Sequence, residues 1–247
     1  RPSLPFTRMP TPIRFVLVHP RTPENLGAAA RALKNFGQKE WTWVRPPWNP
    51  DDPRARTLAV GAEDVLRSAR LASTLEEAVA DCSWVVGTSG RSRLRPAPMD
   101  PETFAAEASR RPGPIALVFG DERTGLGKDD LARCHALTRI PADAGQPSLN
   151  LAQAICLYAY ALARGPAAPT REISRPGTDA DLRRLEQVLA DVLRASGFVR
   201  RGRPGVAPLL APWRRSGLTR TELRLWESAI RTLARSLRKA SDSDSLT

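Results

Sequence analysis

Short apolar runs rich in β-branched and aromatic residues recur along the first two thirds of the chain, and amphipathic stretches of helical period separate them. The runs IRFVLV (13–18), WTWV (41–44), SWVVG (83–87) and IALVF (115–119), with a shorter one at 137–141, read as buried strands. After the first, Pro20 and Pro23 end the strand. Leu26, Ala29, Ala30 and Leu33 then form an apolar stripe that predicts a helix closed by Gly37. Asn25 is the expected cap of that helix, and Arg31 falls inside it. The segment PPWNPDDPR (46–54) reads as a loop. Further helices are expected near 59–69, from 73 to 80 behind a Ser73–Glu76 capping box, and after Asp100 and Pro101.

The stretch PSLNLAQAICLYAYAL (147–162) has an apolar helical body and a polar entrance. Ser148 and Asn150 stand where the first N–H groups of a helix lack intrahelical partners and can hold a ligand or a carboxylate; Ser148 serves equally well as a plain helix cap. Strands alternating with helices predict an α/β fold around a mainly parallel sheet, whose strand-end turns gather at one edge, where ligands bind. Three such turns are polar and glycine-bearing: TSGRSRLRP (88–96), GDERTGLGKDD (120–130) and ADAGQ (142–146), which leads into Ser148. Small residues directly after a strand let a ligand approach the backbone. Glu122 reads either as a ligand group or as an acceptor for nearby backbone or an arginine. The phosphate-loop and GxGxxG patterns are absent, which argues against a nucleoside triphosphate on a phosphate loop and a dinucleotide in an ordinary Rossmann cleft.

Composition changes after Leu162. RGPAAPTREISRPGT (164–178) reads as a linker. Leu182, Leu185, Val188, Leu189, Val192 and Leu193 then recur at helical spacing. A basic turn, VRRGRPG (199–205), precedes a last helix that opens with a Thr219–Glu222 capping box and runs through Leu223, Trp226, Ile230, Leu233 and Leu237. The expected division is a flexible tail at 1–12, an α/β domain at 13–163, the linker at 164–178, a basic helical pair at 179–240 and a disordered tail at 241–247.

Charge narrows the partners. The 38 Lys and Arg outnumber the 26 Asp and Glu for a net +12, and a net +7 of this lies from Arg171 onward. That balance points to a polyanion, nucleic acid ahead of a membrane, although a GC-rich genome's bias to Arg and Ala accounts for part of it. Cys82, Cys134 and Cys156 form no CxxC pair, and His19 and His135 are the sole histidines, so reduced thiols in the cytoplasm and no metal site are expected. No run is long and apolar enough to span a membrane, and residues 1–12 carry no apolar signal core.

PENLGAAARALKNFG (23–37), LVFGDERTGL (117–126) and IPADAGQPSLNLAQA (140–154) together resemble the TrmH/TrmJ branch of the SPOUT RNA 2′-O-methyltransferases. The match in order and spacing spans 13–162, and the helical extension with LTRTEL (218–223) looks like that of the TrmJ type. The resemblance implies an α/β SPOUT fold with a C-terminal trefoil knot, a device ordinary chains avoid. It also implies a homodimer whose sites draw on both subunits, and S-adenosylmethionine (SAM) as methyl donor. The SAM loops would be Thr88, Ser89 and Gly90, then Gly120, then Ile140, Ser148 and Leu149. Arg31 falls on the family's catalytic arginine, with Asn25, Glu122, Ser148 and Asn150 as the supporting polar set. One departure is TSGRSRLRP in place of a TSAR-type loop: Gly90 keeps the loop small enough for SAM, and the change bears on RNA contacts by Arg91 and Arg93. His19 is given no role.

The implied reaction is in-line attack of a ribose 2′-hydroxyl on the SAM methyl, with Arg31 either taking the proton or positioning phosphate and hydroxyl. The implied substrate is tRNA, at a cytidine or uridine on the 5′ side of the anticodon loop. A ribosomal RNA 2′-O-methyltransferase, a non-catalytic RNA-binding protein of the same fold and a basic structural protein remain as alternatives.

Overall fold

The structure, a computed structural model, describes residues 12–90, 97–165, 176–198 and 207–244. The elements of its first part run β1 (Ile13–Val18), α1 (Pro23–Asn35), β2 (Trp41–Val44), α2 (Pro53–Leu58), α3 (Glu63–Arg67), β3 (Arg70–Ala72), α4 (Leu75–Val79), β4 (Trp84–Thr88), α5 (Pro101–Arg110), β5 (Ile115–Phe119), α6 (Lys128–Arg133), β6 (Ala136–Thr138) and α7 (Leu151–Arg164). The six strands form one sheet in the order β3-β2-β1-β5-β4-β6, with every neighbouring pair parallel. This is the α/β architecture expected from the alternation of patterns.

Residues of period two sort the core into two layers. Phe15, Leu17, Leu117 and Phe119 face Trp41, Trp43 and the buried sides of α1, α3, α5 and α7. Val16, Val18, Ala116 and Val118 face Leu75, Ala78 and Val79 of α4. Arg14 lies within this second region and is 7% exposed. Its guanidinium donates to both Asp81 oxygens (2.6 and 2.9 Å) and to the Ala78 carbonyl (2.9 Å), tying the end of α4 to the sheet. α1 crosses α2 so closely at Gly27 that a Cβ there would lie 1.9 Å from the Ala55 carbonyl oxygen, so glycine is required.

β5 is inserted between β1 and β4, so the chain leaves the sheet centre in both directions, and the loops at the C-terminal ends of the parallel strands gather on the edge where such sheets bind ligands. Several local expectations are corrected. The helix expected near 59–69 shrinks to the short α3, and a separate helix, α2, precedes it and begins inside the expected loop. Pro53 takes its first turn, and the Asp52 carboxylate accepts from the Arg54 N–H at 2.9 Å. The cap of α4 is Thr74 paired with Glu77, one residue after the Ser73–Glu76 box. That shift buries Leu75. The edge strand β3 has no counterpart in the sequence pattern, because its three residues are too few to show a period of two and its Leu71 is exposed.

The chain divides into two compact units, Arg1–Glu172 and Ile173–Thr247. In the second, α8 (Asp179–Ala195), α9 (Ala207–Ser216) and α10 (Arg220–Asp244) make three helices where a pair was expected. Pro212 inside α9 hides it from pattern reading. Leu182, Leu185, Val188, Leu223 and Ile230 form its core, whereas Trp226 and Leu233, expected on the same stripe, are 48% and 63% exposed. The Thr219 side chain accepts from the Glu222 N–H, and the Glu222 carboxylate accepts from Thr219, as the capping box requires. α7 takes in Arg164, the first residue of the expected linker, and α10 continues to Asp244, into the expected tail. The tail at 1–11, Arg91 and Arg93, most of the linker and the basic turn at 199–205 lie outside the described residues.

Candidate active site

The loops after β4, β5 and β6 converge on one cavity of about 270 Å³, near the lower end of the ~300–1,000 Å³ usual for small-molecule sites. Its wall contains all seven residues expected to hold SAM: Thr88, Ser89 and Gly90; Gly120; and Ile140, Ser148 and Leu149. The wall owes its shape to backbone. A Cβ on Gly120 would lie 2.0 Å from the Gly125 carbonyl carbon and 2.2 Å from the Leu126 nitrogen. Gly125 itself has φ +69°, and its N–H donates to the Asp121 carbonyl at 2.9 Å. Thr88 Oγ1 donates to the Val118 carbonyl (3.0 Å) and the Ser89 N–H to the Thr138 carbonyl (3.0 Å), locking the first loop to its neighbours.

Asp121 organises the second loop. Partial burial disfavours its charge, but donors from the Thr124 hydroxyl (2.7 Å), the Thr124 N–H (2.7 Å) and the Arg123 N–H (2.8 Å) prevail and hold its carboxyl well below the usual range. Phe119 and Tyr158 supply apolar lining, their rings edge to face with centroids 5.7 Å apart. Burial pushes the Tyr158 phenol up against the opposing pull of its 3.1 Å bond with Thr138 Oγ1, so it stays neutral.

A polar chain runs beside the cavity. Thr22, the residue before α1, makes no side-chain cap bond. Glu122, from the β5–α6 loop, instead fixes the chain just ahead of the helix, accepting from the N–H groups of Arg21 (2.8 Å) and Thr22 (3.1 Å). Its Oε1 also accepts from Asn25 Nδ2 at 3.0 Å. Asn25 is therefore a first-turn residue of α1 and not its cap. Asn25 Oδ1 in turn accepts from Asn150 Nδ2 at 2.9 Å. Asn150 Oδ1 caps α7, accepting from the Ala152 N–H (2.9 Å) and, at longer range, the Gln153 N–H (3.4 Å). The cap of α7 is thus Asn150, and Ser148 is exposed on the cavity wall with no hydrogen bond among the described residues.

The structure brings Asn25, Glu122 and Asn150 into one network and places Ser148 in the adjoining wall. It does not bring Arg31 there. Arg31 is exposed on the face of α1 that carries Glu24, Ala28 and Asn35, with no hydrogen bond or ion pair among the described residues. Asp121, Thr138 and Tyr158 went unread. Asp121 adjoined Glu122 in the same motif, whereas Tyr158 looked like any core aromatic.

Residues 12–160 match the family model described as the SpoU rRNA methylase family. The chain belongs to the SpoU methylase family. The matched span runs from the start of the sheet into α7. Among its relatives is the tRNA (cytidine/uridine-2′-O-)-methyltransferase TrmJ of Yersinia pestis (strain Pestoides F), 42% identical over 205 residues that cover 78% of this chain and 79% of the relative. The solved structure of TrmJ from Z. mobilis ZM4 is 32% identical with a TM-score of 0.81, covering 90% of this chain and 99% of that one. A probable methylase family protein from Haemophilus influenzae Rd KW20 is 32% identical with a TM-score of 0.59, covering 92% and 98%. This SpoU methylase therefore has the SPOUT-type α/β sheet, and its cavity lies at the sheet edge where that architecture binds ligands.

Proposed function

We propose that the chain is a SAM-dependent RNA 2′-O-ribose methyltransferase whose substrate is tRNA, methylated at a cytidine or uridine on the 5′ side of the anticodon loop. The observation that carries the reading is the convergence of three strand-end loops on one cavity coupled to the Glu122–Asn25–Asn150 chain. The residues fit SAM: a backbone-lined cradle that a Cβ at Gly120 would fill, apolar surface from Ile140, Leu149 and Phe119, and hydroxyls from Ser89 and Ser148. When bound, SAM supplies a methyl group activated by its sulfonium. Thr88, Ser89, Gly90, Gly120, Ile140, Ser148 and Leu149 would hold it. Similarity to TrmJ favours tRNA over ribosomal RNA, and the net charge of +12 suits either.

The protein's task is to align the ribose hydroxyl and assist loss of its proton. Ser148 faces the ribose from the cavity wall. Glu122 fixes the start of α1, and through the helix the register of Arg31. Guanidinium is protonated at working pH and binds phosphate bidentately, so we assign Arg31 the positioning of phosphate and hydroxyl, with water taking the proton. Because Arg31 is outside the cavity wall of its own chain, the site is completed in a homodimer. The exposed Leu157 and Tyr160 on α7, 41% and 50% accessible, support an apolar contact there. The 139–150 segment passes beside Gly90, where Pro147 O would lie 3.7 Å from a Cβ, so the first and third loops meet at the cavity. The basic helical unit supplies RNA backbone contacts, and the three free cysteines suit the cytoplasm.

The test is mass-spectrometric counting of 2′-O-methylated nucleosides after separate incubation with unmodified tRNA and with ribosomal RNA. Gain in tRNA alone, mapped to the anticodon loop, is the expected result. Gain in ribosomal RNA alone moves the substrate, and no gain without SAM binding refutes the enzyme reading. Arg31→Lys, which keeps a charge but loses the fork, should not restore activity.

A further inference from the structure

One cluster on the same sheet edge is used by none of the chemistry above. The loop after β2 carries Trp48, whose indole N–H donates to the Arg21 carbonyl at 2.7 Å. Arg21 is the residue whose own N–H donates to Glu122, and its guanidinium reaches Asp121 at 3.4 Å. Trp48 is thus tied, through one residue, to two carboxylates of the cavity wall. Arg54, in the first turn of α2, lays its guanidinium over the Trp48 ring, 4.3 Å from the centroid. Asp52 grips the same guanidinium by its edge, accepting from Nε at 3.1 Å and Nη2 at 3.0 Å. Half of the Arg54 side chain remains exposed, and so does half of Arg21 (50% and 51%).

We propose that the Trp48–Arg54 stack is a platform on which an unpaired nucleobase of the substrate RNA, adjacent to the methylated nucleotide, stacks. The proposal rests on the RNA methyltransferase reading and names how that site chooses its substrate. Three features select a base over a phosphate. The Arg54 charge is already paired with a carboxylate in bidentate geometry, which leaves little for a phosphate. Its π face needs no free charge, and planar guanidinium groups and aromatic rings are what RNA-binding proteins offer to splayed-out bases. The platform is also held at both layers, the ring by Arg21 and the guanidinium by Asp52, so little side-chain freedom is lost when a base arrives. Arg21, more loosely tied, is left to meet the backbone beside it.

The experiment is steady-state methylation of unmodified tRNA by the full-length protein, comparing the parent with Arg54→Ala and Arg54→Lys at several salt concentrations. Loss of one stacked base should raise KM for tRNA at least about fivefold in both variants, because lysine restores charge but not the plane. KM for SAM and the melting temperature should stay at parental values, and the slope of log KM against log salt should not change, since no phosphate contact is lost. Parental KM in Arg54→Ala would overturn the platform. Rescue by Arg54→Lys with a salt slope about one unit flatter in Arg54→Ala would overturn it too, marking a phosphate contact. A parent protein that methylates no tRNA would instead overturn the underlying reading, and the platform with it.

Discussion

Asn150 does two jobs at once, and a single substitution separates them. Its Oδ1 caps α7, and its Nδ2 donates to Asn25 Oδ1. The orientation of the Asn25 amide is fixed from the other side, because its own Nδ2 must face the Glu122 carboxylate. Asn150→Ala removes both functions. Loss of an N-cap costs about 1 kcal/mol, and one partly exposed neutral hydrogen bond adds about 0.5 kcal/mol. At roughly 2–4 °C per kcal/mol for a unit of this size, the melting temperature should fall by about 3–6 °C. Asn150→Asp keeps the cap oxygen and adds a carboxylate at a helix N-terminus, worth about 0.3–1 kcal/mol, which offsets the lost link. It also sets an acceptor against Asn25 Oδ1, and turning the Asn25 amide over would only face its oxygen to Glu122. Asn150→Asp should therefore melt within about 2 °C of the parent while its methyl-transfer rate falls about ten- to a hundredfold from misaligned reactants. Thermal unfolding by circular dichroism and single-turnover methyl transfer at saturating SAM and tRNA measure the two quantities. Parental turnover in Asn150→Asp would show that the chain through Asn25 has no part in alignment. Parental stability in Asn150→Ala would show that Asn150 is not the cap.

Other changes test the remaining parts. Gly120→Ala forces its new methyl into the Gly125 backbone, so it should abolish SAM binding by calorimetry and destabilise the fold by at least about 2 kcal/mol. Ser148→Ala, with no hydrogen bond to lose, should leave the melting curve unchanged and weaken only SAM or RNA binding. For Asp121, whose folded pKa is depressed, the stabilisation is complete above its unfolded value of about 4 and is lost as pH falls below it. The gap between the parent and Asp121→Asn, on the order of 1 kcal/mol at neutral pH, should therefore narrow as urea midpoints are followed from pH 5 to pH 3 and keep narrowing below that, and a gap that stays constant would refute the assignment. Asp81→Ala leaves the Arg14 guanidinium buried with the Ala78 carbonyl and the weakly accepting Cys82 sulfur as partners. Because Asp81 is 56% exposed, the cost should be about 1–3 kcal/mol, short of that for a fully buried pair.

The strands at the sheet centre were legible because burial on both faces forces continuous apolar runs: Ile13–Val18 and Ile115–Phe119 appear with the boundaries their composition predicts. The three site turns were legible for a related reason, since strands end sharply and glycine and polar residues cluster where they end. What escaped was non-local or masked. Nothing near Thr22 announces that its N–H is satisfied by a residue 100 positions later, so Asn25 took the blame for capping. Ser148 and Asn150 are both good cap residues, and two positions of register separated them. Pro212 hid α9, and the Pro-Asp-Asp-Pro run hid the cap and first turn of α2, because prolines signal turns more often than helix starts.

The division of labour at the site follows from which atoms do the holding. The second loop is closed by backbone meeting backbone at Gly120 and Gly125, and its one organising carboxylate, Asp121, bonds mostly to its own loop. Truncating side chains around the cavity therefore removes little of its shape, whereas adding one carbon at Gly120 removes all of it. The alignment chain is the opposite case. Glu122, Asn25 and Asn150 each use a side chain to join a different segment, so each truncation uncouples α1 from α7 or from the β5–α6 loop, and of the three only Glu122 also stands in the cavity wall. Binding and alignment should accordingly separate under mutation: glycine changes should act on SAM affinity, and carboxamide changes on the rate at saturation. A carboxamide variant whose only defect is weaker SAM binding would break that division, because it would mean that the chain shapes the cavity and not the approach of the ribose.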